Sequence, residues 1–473
     1  MLFQSLEYLL LLIVALLFIR FSKNALVNKI VILLLSMFFY AYGGKWQTLL
    51  FIAVILLAYG FALLLQKKHS RSLFIVSLCV MFLPLIVYKY VPFFLTEIFG
   101  LDSTTYTSIF LLPIGISFYT FQAVGYVIDV YRQKYAAERS LLTFACFISF
   151  FPQLVAGPIE RADALIGQIK EFKRPERQDY SMGFRLILIG LCLKLLIAET
   201  MASFVDPVFN NLSASGGLAV LIATFCFGIQ IYCDFNGYTQ IALGSAKLMG
   251  INLMKNFDYP YNALTVSDFW RRWHISLTSW FRDYVYIPLG GNRKGKFRTT
   301  LNSLITFTLS GIWHGANWTY ACWGFANGVL IAAEKSLHYK PKKGFRFLSF
   351  LLTIILVNLL WIFFRANSIS DAFLAFKLIF TDTIHQLSSL TSLGAVMSFY
   401  LGSGWDRYMI FPLIVSLLIY LFYEYGRLVH FDLVERMNSS KLWIRWMIYI
   451  ILLVCTLYFG KIIEQSAFVY FRF

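Results

Sequence analysis

Two histidines in apolar surroundings have the clearest capacity for chemistry in this sequence. His274 lies in the segment DFWRRWHISLTSWFRDYVYIPLGG, and His314 follows the apolar run from Leu301 to Trp313. Imidazole has an unperturbed pKa of about 6.5, so either side chain could take a proton from an attacking hydroxyl and return it near neutral pH. The alternative is a packed, hydrogen-bonded histidine, which for His314 is the interpretation that the residue by itself favours.

A helix is predicted to carry His274 on its apolar side. Apolar side chains recur every three or four residues, namely Trp270, Trp273, Leu277, Phe281 and Tyr284. The opposite face carries Arg272, Ser276, Ser279 and Asp283, and the helix is expected to end at Pro288, Gly290 and Gly291. Tryptophans on one face and arginines on the other are typical of a membrane interface or of the wall of a water-filled cavity. The sequence therefore predicts titratable imidazoles at or inside the membrane.

Basic residues lie close to His274 along the chain. Arg271, Arg272 and Arg282 belong to the predicted helix, and Arg293 and Lys294 begin a basic cluster after it. Guanidinium and ammonium groups bind phosphates through charge-assisted hydrogen bonds, so these side chains could hold an anionic ligand. The alternative, favoured for any one of them, is that the cation anchors a helix at the cytoplasmic membrane surface.

One acidic residue interrupts an otherwise apolar segment. Asp234 stands with Asn236, Gly237 and Tyr238 inside the predicted span 218–250. A carboxylate in lipid costs several kcal/mol by the order of magnitude of insertion scales, so Asp234 must face protein or water. It is predicted either to line a cavity or orient a histidine, or to make an interhelical hydrogen bond, and the second alternative is favoured.

The composition is that of an all-α, polytopic integral membrane protein. Of the 473 residues, 59% are hydrophobic and only 14% are charged, which excludes an ordinary soluble globular protein. The net charge of +17 arises from short basic groups between apolar runs, which favours cytoplasmic loops over a nucleic-acid-binding patch. The seven cysteines lie singly without metal-ligand spacing, so no metal site or disulfide is predicted.

About eleven transmembrane helices are predicted, in a single membrane domain over residues 1–473. The spans are placed near 5–20, 29–43, 47–65, 72–89, 109–130, 183–205, 218–250, 318–333, 347–364, 410–423 and 447–458. The first is interpreted as a membrane helix and not as a cleavable signal. Residues 141–157 have basic flanks on both sides and are predicted to form a re-entrant hairpin, and a short apolar helix is expected near 392–400. If basic loops face the cytoplasm, both termini lie outside it.

Several motifs resemble those of the membrane-bound O-acyltransferase (MBOAT) family, in its branch of bacterial alginate and peptidoglycan O-acetyltransferases. They are LPIGISFYTFQAVGYVIDVYR from Leu112, FFPQLVAGPIER from Phe150, YCDFNGYTQIALGSAKLMGI from Tyr232, the His274 segment, and SGIWHGANWTYACWG around His314. The resemblance is strong over about 112–328; outside it, only hydropathy and the closing FVYFRF support it. One departure is Asn327, which stands where the family often carries a further histidine.

The resemblance implies residue roles as well as a fold. His314 is implied as the catalytic histidine and His274 as a second site residue, with Trp313 and Asn317 beside them. The residues for which substrate-binding roles are implied are Trp313, Asn317, Arg271, Arg272, Arg282 and Asp234. Binding of coenzyme A is implied for Arg293 and Lys294.

The implied activity is transfer of an acetyl group to an extracytoplasmic polysaccharide. The expected donor is acetyl-coenzyme A (acetyl-CoA), with no bound cofactor, and the expected setting is the bacterial cytoplasmic (inner) membrane with its lipid. An exported partner of the SGNH-hydrolase type is expected to receive the acetyl group. Two alternatives remain open: D-alanyl transfer to teichoic acid from a carrier-protein thioester, and a transporter or flippase, against which the lack of internal repeats counts.

Overall fold

The computed structural model of the protein describes residues 3–101, 110–155, 157–426, 437 and 439–461, and all regular secondary structure in these ranges is helical. In chain order the helices are α1 Leu6–Phe21, α2 Ala25–Gly44, α3 Gln47–Lys68, α4 Arg71–Leu85, α5 Val91–Glu97, α6 Ile116–Tyr131, α7 Leu141–Ser149, α8 Ala162–Glu171, α9 Arg177–Leu191, α10 Glu199–Phe209, α11 Gly217–Leu248, α12 Val266–Arg272, α13 Ile275–Phe281, α14 Gly295–His314, α15 Trp318–Ser336, α16 Arg346–Arg365, α17 Ile369–Ser389, α18 Leu393–Gly402, α19 Ile410–Tyr425 and α20 Leu442–Phe459. Turns of π-helix occur at Ile86–Tyr90, Cys192–Ala198 and Arg282–Tyr286.

Eight helical segments in these ranges are long and apolar enough to cross a membrane. They are Ala25–Gly44, Gln47–Lys68, Arg71–Glu97, Arg177–Phe209, Gly217–Leu248, Lys343–Arg365, Arg407–Tyr425 and Leu442–Phe459. The predicted all-α, polytopic architecture is confirmed. The number of about eleven spans stays a prediction, since α1, for example, is helical but has only 16 residues. The closing FVYFRF and the start of the predicted span 109–130 lie outside the described residues.

The described chain groups into two compact units. Unit 1 comprises Met1–Ile187 and Tyr238–Asn256, and unit 2 comprises Leu188–Gly237 and Phe257–Phe473. The predicted single domain is not decided by this grouping and stays a prediction.

Unit 1 is built around buried aromatic side chains. The ring of Tyr8 lies 6.0 Å from that of Phe39 and 5.9 Å from that of Phe151, and its hydroxyl donates to Ser245 Oγ at 2.9 Å. In the predicted re-entrant segment, α7 is only nine residues long and ends just before Phe150. A helix of that length, roughly 13 Å, cannot cross a bilayer, but the re-entrant path itself stays a prediction.

Unit 2 holds the helical hairpin that carries His314. Helices α14 and α15 pack closely because Gly311 and Gly324 face each other: a Cβ added at Gly311 would lie 3.0 Å from the Cα of Gly324. Small residues at such a contact let two backbones approach, as is common between membrane helices. The predicted apolar run leading to His314 is confirmed as one helix, α14, which ends at His314.

The helix predicted around His274 is broken, and this prediction was wrong. α12 ends at Arg272, Trp273 is extended, and His274 has a left-handed backbone (φ 44°, ψ 54°) before α13 begins. Ser276, placed on the polar face, is fully buried. In contrast, α11 runs unbroken through the polar group at Asp234.

Candidate functional site

The start of α12 is fixed by two polar side chains. Thr265 Oγ1 accepts from Asp268 N at 3.0 Å. Glu334, near the end of α15, accepts from Val266 N at 2.6 Å and from Ser267 N at 2.8 Å. A carboxylate at a helix N-terminus satisfies otherwise unpaired N–H groups and complements the helix dipole. Glu334 therefore connects α12, which carries Arg271 and Arg272, to α15.

His274 acquires its position from the break between α12 and α13. A non-glycine residue at positive φ is uncommon and costs on the order of 1–3 kcal/mol, so the surrounding contacts must impose it. The flanking Trp273 is packed, with its ring 5.3 Å from Phe269 and 5.1 Å from Trp361. The Asp258 N–H donates to the Arg272 carbonyl at 3.0 Å, where α12 ends.

The two histidines lie side by side. Their ring centroids are 6.4 Å apart, and the side chains are nearly inaccessible, at 1% for His274 and 4% for His314. His274 packs against Phe235 at 4.6 Å. The ring of Trp313 lies 6.1 Å from His274 and 5.0 Å from His314. Two histidines that are 40 residues apart in sequence thus form one aromatic-walled cluster.

Both histidines line one cavity of about 420 Å³ within unit 2. The cavity wall is formed by Ser267, Trp270, Arg271, His274, Ile275, Leu277, Thr278, Ser279, Phe281, Arg282, Tyr286, Ser303, Thr306, Phe307, Ser310, His314, Ile331 and Lys335. The lining contains three cations and no carboxylate. Such a mixture of apolar walls and a few polar groups is typical of a ligand site, and its charge suits an anionic ligand.

The electrostatic setting of His274 differs from that of an ordinary surface imidazole. His274 lies outside the eight membrane-crossing segments, and burial lowers the pKa of its imidazole to about 3. A neutral imidazole has one nitrogen that donates and one that accepts a hydrogen bond. His274 is therefore neutral at physiological pH and a weak base, which suits an orienting role more than proton abstraction.

The predicted basic residues differ in their ion pairs and in whether they line the cavity. Arg271 pairs with Asp268, and Arg282 pairs with Asp283 at 2.8 Å, and both arginines line the cavity. Arg272 also pairs with Asp268, at 3.1 Å, but is not part of the lining. Arg293 and Lys294 are exposed in the turn before α14, and neither reaches the cavity wall.

Three other predicted site residues also lie off the cavity wall. Trp313 packs against both histidines, at the ring distances given above. Asn317 caps α15 by accepting from Thr319 N at 3.0 Å. Asp234 makes a buried ion pair with Lys194, at 2.6 Å, which matches the interhelical alternative. The roles assigned to these residues in substrate binding stay predictions.

Asn327, the residue that departs from the family pattern, makes hydrogen bonds to two residues around the cavity. Its Oδ1 accepts from Trp270 Nε1 at 3.0 Å, and its Nδ2 donates to the Trp323 carbonyl at 2.9 Å. Trp270 lines the cavity and Trp323 lies 5.3 Å from His314. Asn327 therefore holds two aromatic side chains of the site in place.

Sequence reasoning missed the polar residues at the other end of the cavity. Lys335 follows the predicted span 318–333 and is not among the predicted site residues, but its Nζ lies 3.1 Å from Ser303 Oγ and 3.4 Å from the Tyr286 hydroxyl. A signal was present in the sequence, because Ser303, Thr306, Ser310 and His314 follow a helical spacing and so share one face of α14.

Comparison with known proteins places the chain in a family. A family model described as the membrane-bound O-acyltransferase family matches residues 136–370. The chain is 36% identical over 407 residues to "Probable alginate O-acetylase AlgI" of Pseudomonas aeruginosa, covering 82% of this chain and 77% of that protein. It is 32% identical over 394 residues to "Peptidoglycan O-acetyltransferase" of Helicobacter pylori (76% and 74%), and 28% identical over 335 residues to "Teichoic acid D-alanyltransferase" of Bacillus subtilis (68% and 83%). With identity above 30% over most of both chains, and with the two motif histidines in one cavity, this multi-pass membrane protein belongs to the membrane-bound O-acyltransferase family.

Proposed function

We propose that the protein is a membrane O-acetyltransferase that moves an acetyl group from cytoplasmic acetyl-CoA to an extracytoplasmic polysaccharide. The observation that carries the proposal is the pair of buried histidines, 6.4 Å apart, in a cavity lined by three cations and no carboxylate. Relatives named as alginate and peptidoglycan O-acetyltransferases support the reaction type.

His314 acts as the general base in this proposal. It takes the proton of the acceptor hydroxyl as the oxygen attacks the thioester carbonyl, and the carbon–sulfur bond then breaks. The proton returns to the departing thiolate, so the products are an acetyl ester and free thiol with no net change in protons. His274, neutral and weakly basic, orients the acceptor or His314 through a hydrogen bond.

The charge of the loops supports an orientation. The basic cluster at 293–298 lies at the start of α14, and the segment between α15 and α16 carries lysines, with Arg346 at the start of α16. Both lie at the same end of the α14–α15 hairpin, because the two helices are antiparallel neighbours. By the positive-inside rule, this end faces the cytoplasmic side of the bacterial inner membrane, and both chain termini lie on the outer side.

A separate outer protein is part of the proposal. We expect an exported acyltransferase of the SGNH-hydrolase type to receive the acetyl group and pass it to the polysaccharide. Purified protein that acetylates polysaccharide as fast as a whole membrane preparation would show that such a partner is unnecessary.

D-alanyl transfer from a carrier protein is the second candidate, because a teichoic acid D-alanyltransferase is also a relative. That relative is 28% identical, against 36% and 32% for the relatives named as acetylating enzymes, so acetyl transfer is favoured. A transporter would not consume either thioester.

The test is release of free coenzyme A from acetyl-CoA by purified protein in nanodiscs. His314→Ala is expected to lower turnover by about 100-fold or more, the size of general-base effects. His274→Asn is the better probe of the second histidine, since asparagine tolerates a left-handed backbone and alanine would add strain. It is expected to lower turnover less than His314→Ala does.

His385→Ala is the matched control, because His385 is exposed on α17 and should leave turnover unchanged. A folded His314→Ala protein whose turnover equals that of wild type would overturn the role of His314. Wild-type protein that releases thiol only from a D-alanyl carrier thioester would favour the second candidate.

A further inference from the structure

A line of hydroxyl groups connects the histidine cluster to the opposite end of the cavity. Ser303, Thr306 and Ser310 share one face of α14 with His314, and all four line the cavity. His314 is eleven positions after Ser303 on one continuous helix, and at 1.5 Å per position this is a distance of roughly 16 Å. The cavity is therefore an elongated one, with the reactive imidazoles at one end.

Lys335 lies at the other end of this line. Its Nζ is 3.1 Å from Ser303 Oγ, 3.4 Å from the Tyr286 hydroxyl and 4.7 Å from the centroid of the Tyr286 ring. Tyr286 closes the π-helical turn Arg282–Tyr286, in which the Ile287 N–H donates to the Arg282 carbonyl at 2.9 Å. The turn therefore places Arg282 and Tyr286 on the cavity wall together with Lys335.

Lys335 differs from the two arginines of the cavity in its charge balance. Arg271 and Arg282 each pair with an aspartate, so part of their charge is already neutralised. No ion pair of Lys335 is found within the described part of the chain, and its side chain is exposed. An ammonium group held by two hydroxyls at a cavity mouth is suited to receive a phosphate oxygen.

We propose that Lys335 binds the phosphate attached to the pantetheine arm of the thioester donor and so holds the donor in the cavity with its thioester end toward His314. This inference rests on the proposed function. About thirteen bonds join that phosphate to the sulfur, and an extended chain covers about 3.6 Å per three bonds, giving roughly 16 Å. The arm thus matches the distance from Ser303 to His314, with the hydroxyls of α14 as partners for its amides.

The experiment compares donors that have or lack the phosphate. Acetyl-CoA, acetyl-dephospho-CoA and acetyl-pantetheine are turned over by wild type, Lys335→Gln and Lys335→Arg protein in nanodiscs. Lys335→Gln is expected to raise KM about tenfold for the first two donors with kcat nearly unchanged, and to leave kcat/KM for acetyl-pantetheine as in wild type. Lys335→Arg, which keeps the charge, should restore most of the loss. Lys340→Gln, an exposed lysine beyond α15 that does not line the cavity, is the matched control.

The outcomes separate this inference from the proposed function. Equal losses with acetyl-CoA and acetyl-pantetheine would assign Lys335 a structural role, and no change with either would remove it from the site; both results overturn the inference alone. A loss with acetyl-CoA but not with acetyl-dephospho-CoA would place the contact at the 3′-phosphate. It would overturn the proposed contact of Lys335 with the phosphate attached to the pantetheine arm. Wild-type protein that turns over none of the three donors would overturn the acetyl-CoA function, and the role of Lys335 with it.

Discussion

A buried charge cluster in unit 2 allows a quantitative test of the fold. Lys194 Nζ lies 2.6 Å from Asp234 Oδ1 and 2.8 Å from Glu199 Oε1, and the three side chains are 1%, 1% and 3% exposed. Lys194 belongs to the π-helical turn Cys192–Ala198. The change Lys194→Met removes the cation and keeps both carboxylates in a site without access to water.

The expected loss of stability follows from the cost of an uncompensated buried charge. Removing one partner of a buried ion pair costs about 3–5 kcal/mol, whereas replacing all members by neutral residues is often close to neutral. The matched control is Lys247, which pairs with Asp179 at 2.9 Å in unit 1 with the two side chains 27% and 21% exposed. Lys247→Met is expected to cost only about 0–1 kcal/mol, the range for exposed pairs.

Thermal unfolding in one detergent, followed by circular dichroism and by retention of a monodisperse peak, measures these differences. Lys194→Met should unfold at a clearly lower temperature than Lys247→Met. The triple change Lys194→Met, Asp234→Asn and Glu199→Gln should recover most of the stability. Equal midpoints for the two single variants would refute the reasoning. Lost coenzyme A release in a stable triple variant would return Asp234 to the substrate-binding role first predicted for it.

Three further expectations concern the helices around the site and one loop of unit 1. Gly324→Ala places a methyl group against the Gly311 backbone, so it should lower both thermal stability and turnover; Gly344→Ala, with open space around it, should change neither. Asn327→Leu leaves the Trp270 N–H without its acceptor and should cost about 1–3 kcal/mol, measured as a lower unfolding midpoint; an unchanged midpoint would contradict the importance of this bond. Burial raises the pKa of Glu160 to about 7 from a usual 4.5, so the folded state binds a proton that the unfolded state releases, and stability should fall as pH rises from about 4.5 to 7; Glu160→Gln should remove this decline, and parallel stability–pH curves for the two proteins would refute it.

Part of the site could be predicted from the sequence because local patterns determine it. The apolar run before His314 gives the helix α14. Arg271 and Arg282, predicted from their closeness to His274 along the chain, both line the cavity. Local composition also indicated that Asp234 must be partnered, although it did not identify Lys194, which lies 40 residues earlier in the chain.

The break at His274 could not be predicted, because its causes are distant in sequence. No glycine or proline separates α12 from α13, and the helical periodicity continues across the break. The ring of Trp361, 5.1 Å from Trp273, and the hydrogen bond from Asp258 to the Arg272 carbonyl are contacts with other segments. Tertiary packing here overrides the local helical pattern. The same limitation applies to Lys335, whose contact with Ser303 joins residues on two different helices.

The arrangement of charge and burial along the cavity has a consequence for how a thioester would be protected. The cationic end at Lys335 is exposed, while His314 lies at 4% exposure against Trp323 and Phe364, with ring centroids 5.3 and 5.4 Å away. Excluding water from the reacting carbon prevents hydrolysis from competing with transfer. A donor anchored at Lys335 fills the cavity from that end, so the acceptor hydroxyl has to approach His314 from the side of the α14–α15 connection. On the proposed orientation that side faces outward, so the proposed reaction would take its acceptor from the outer side.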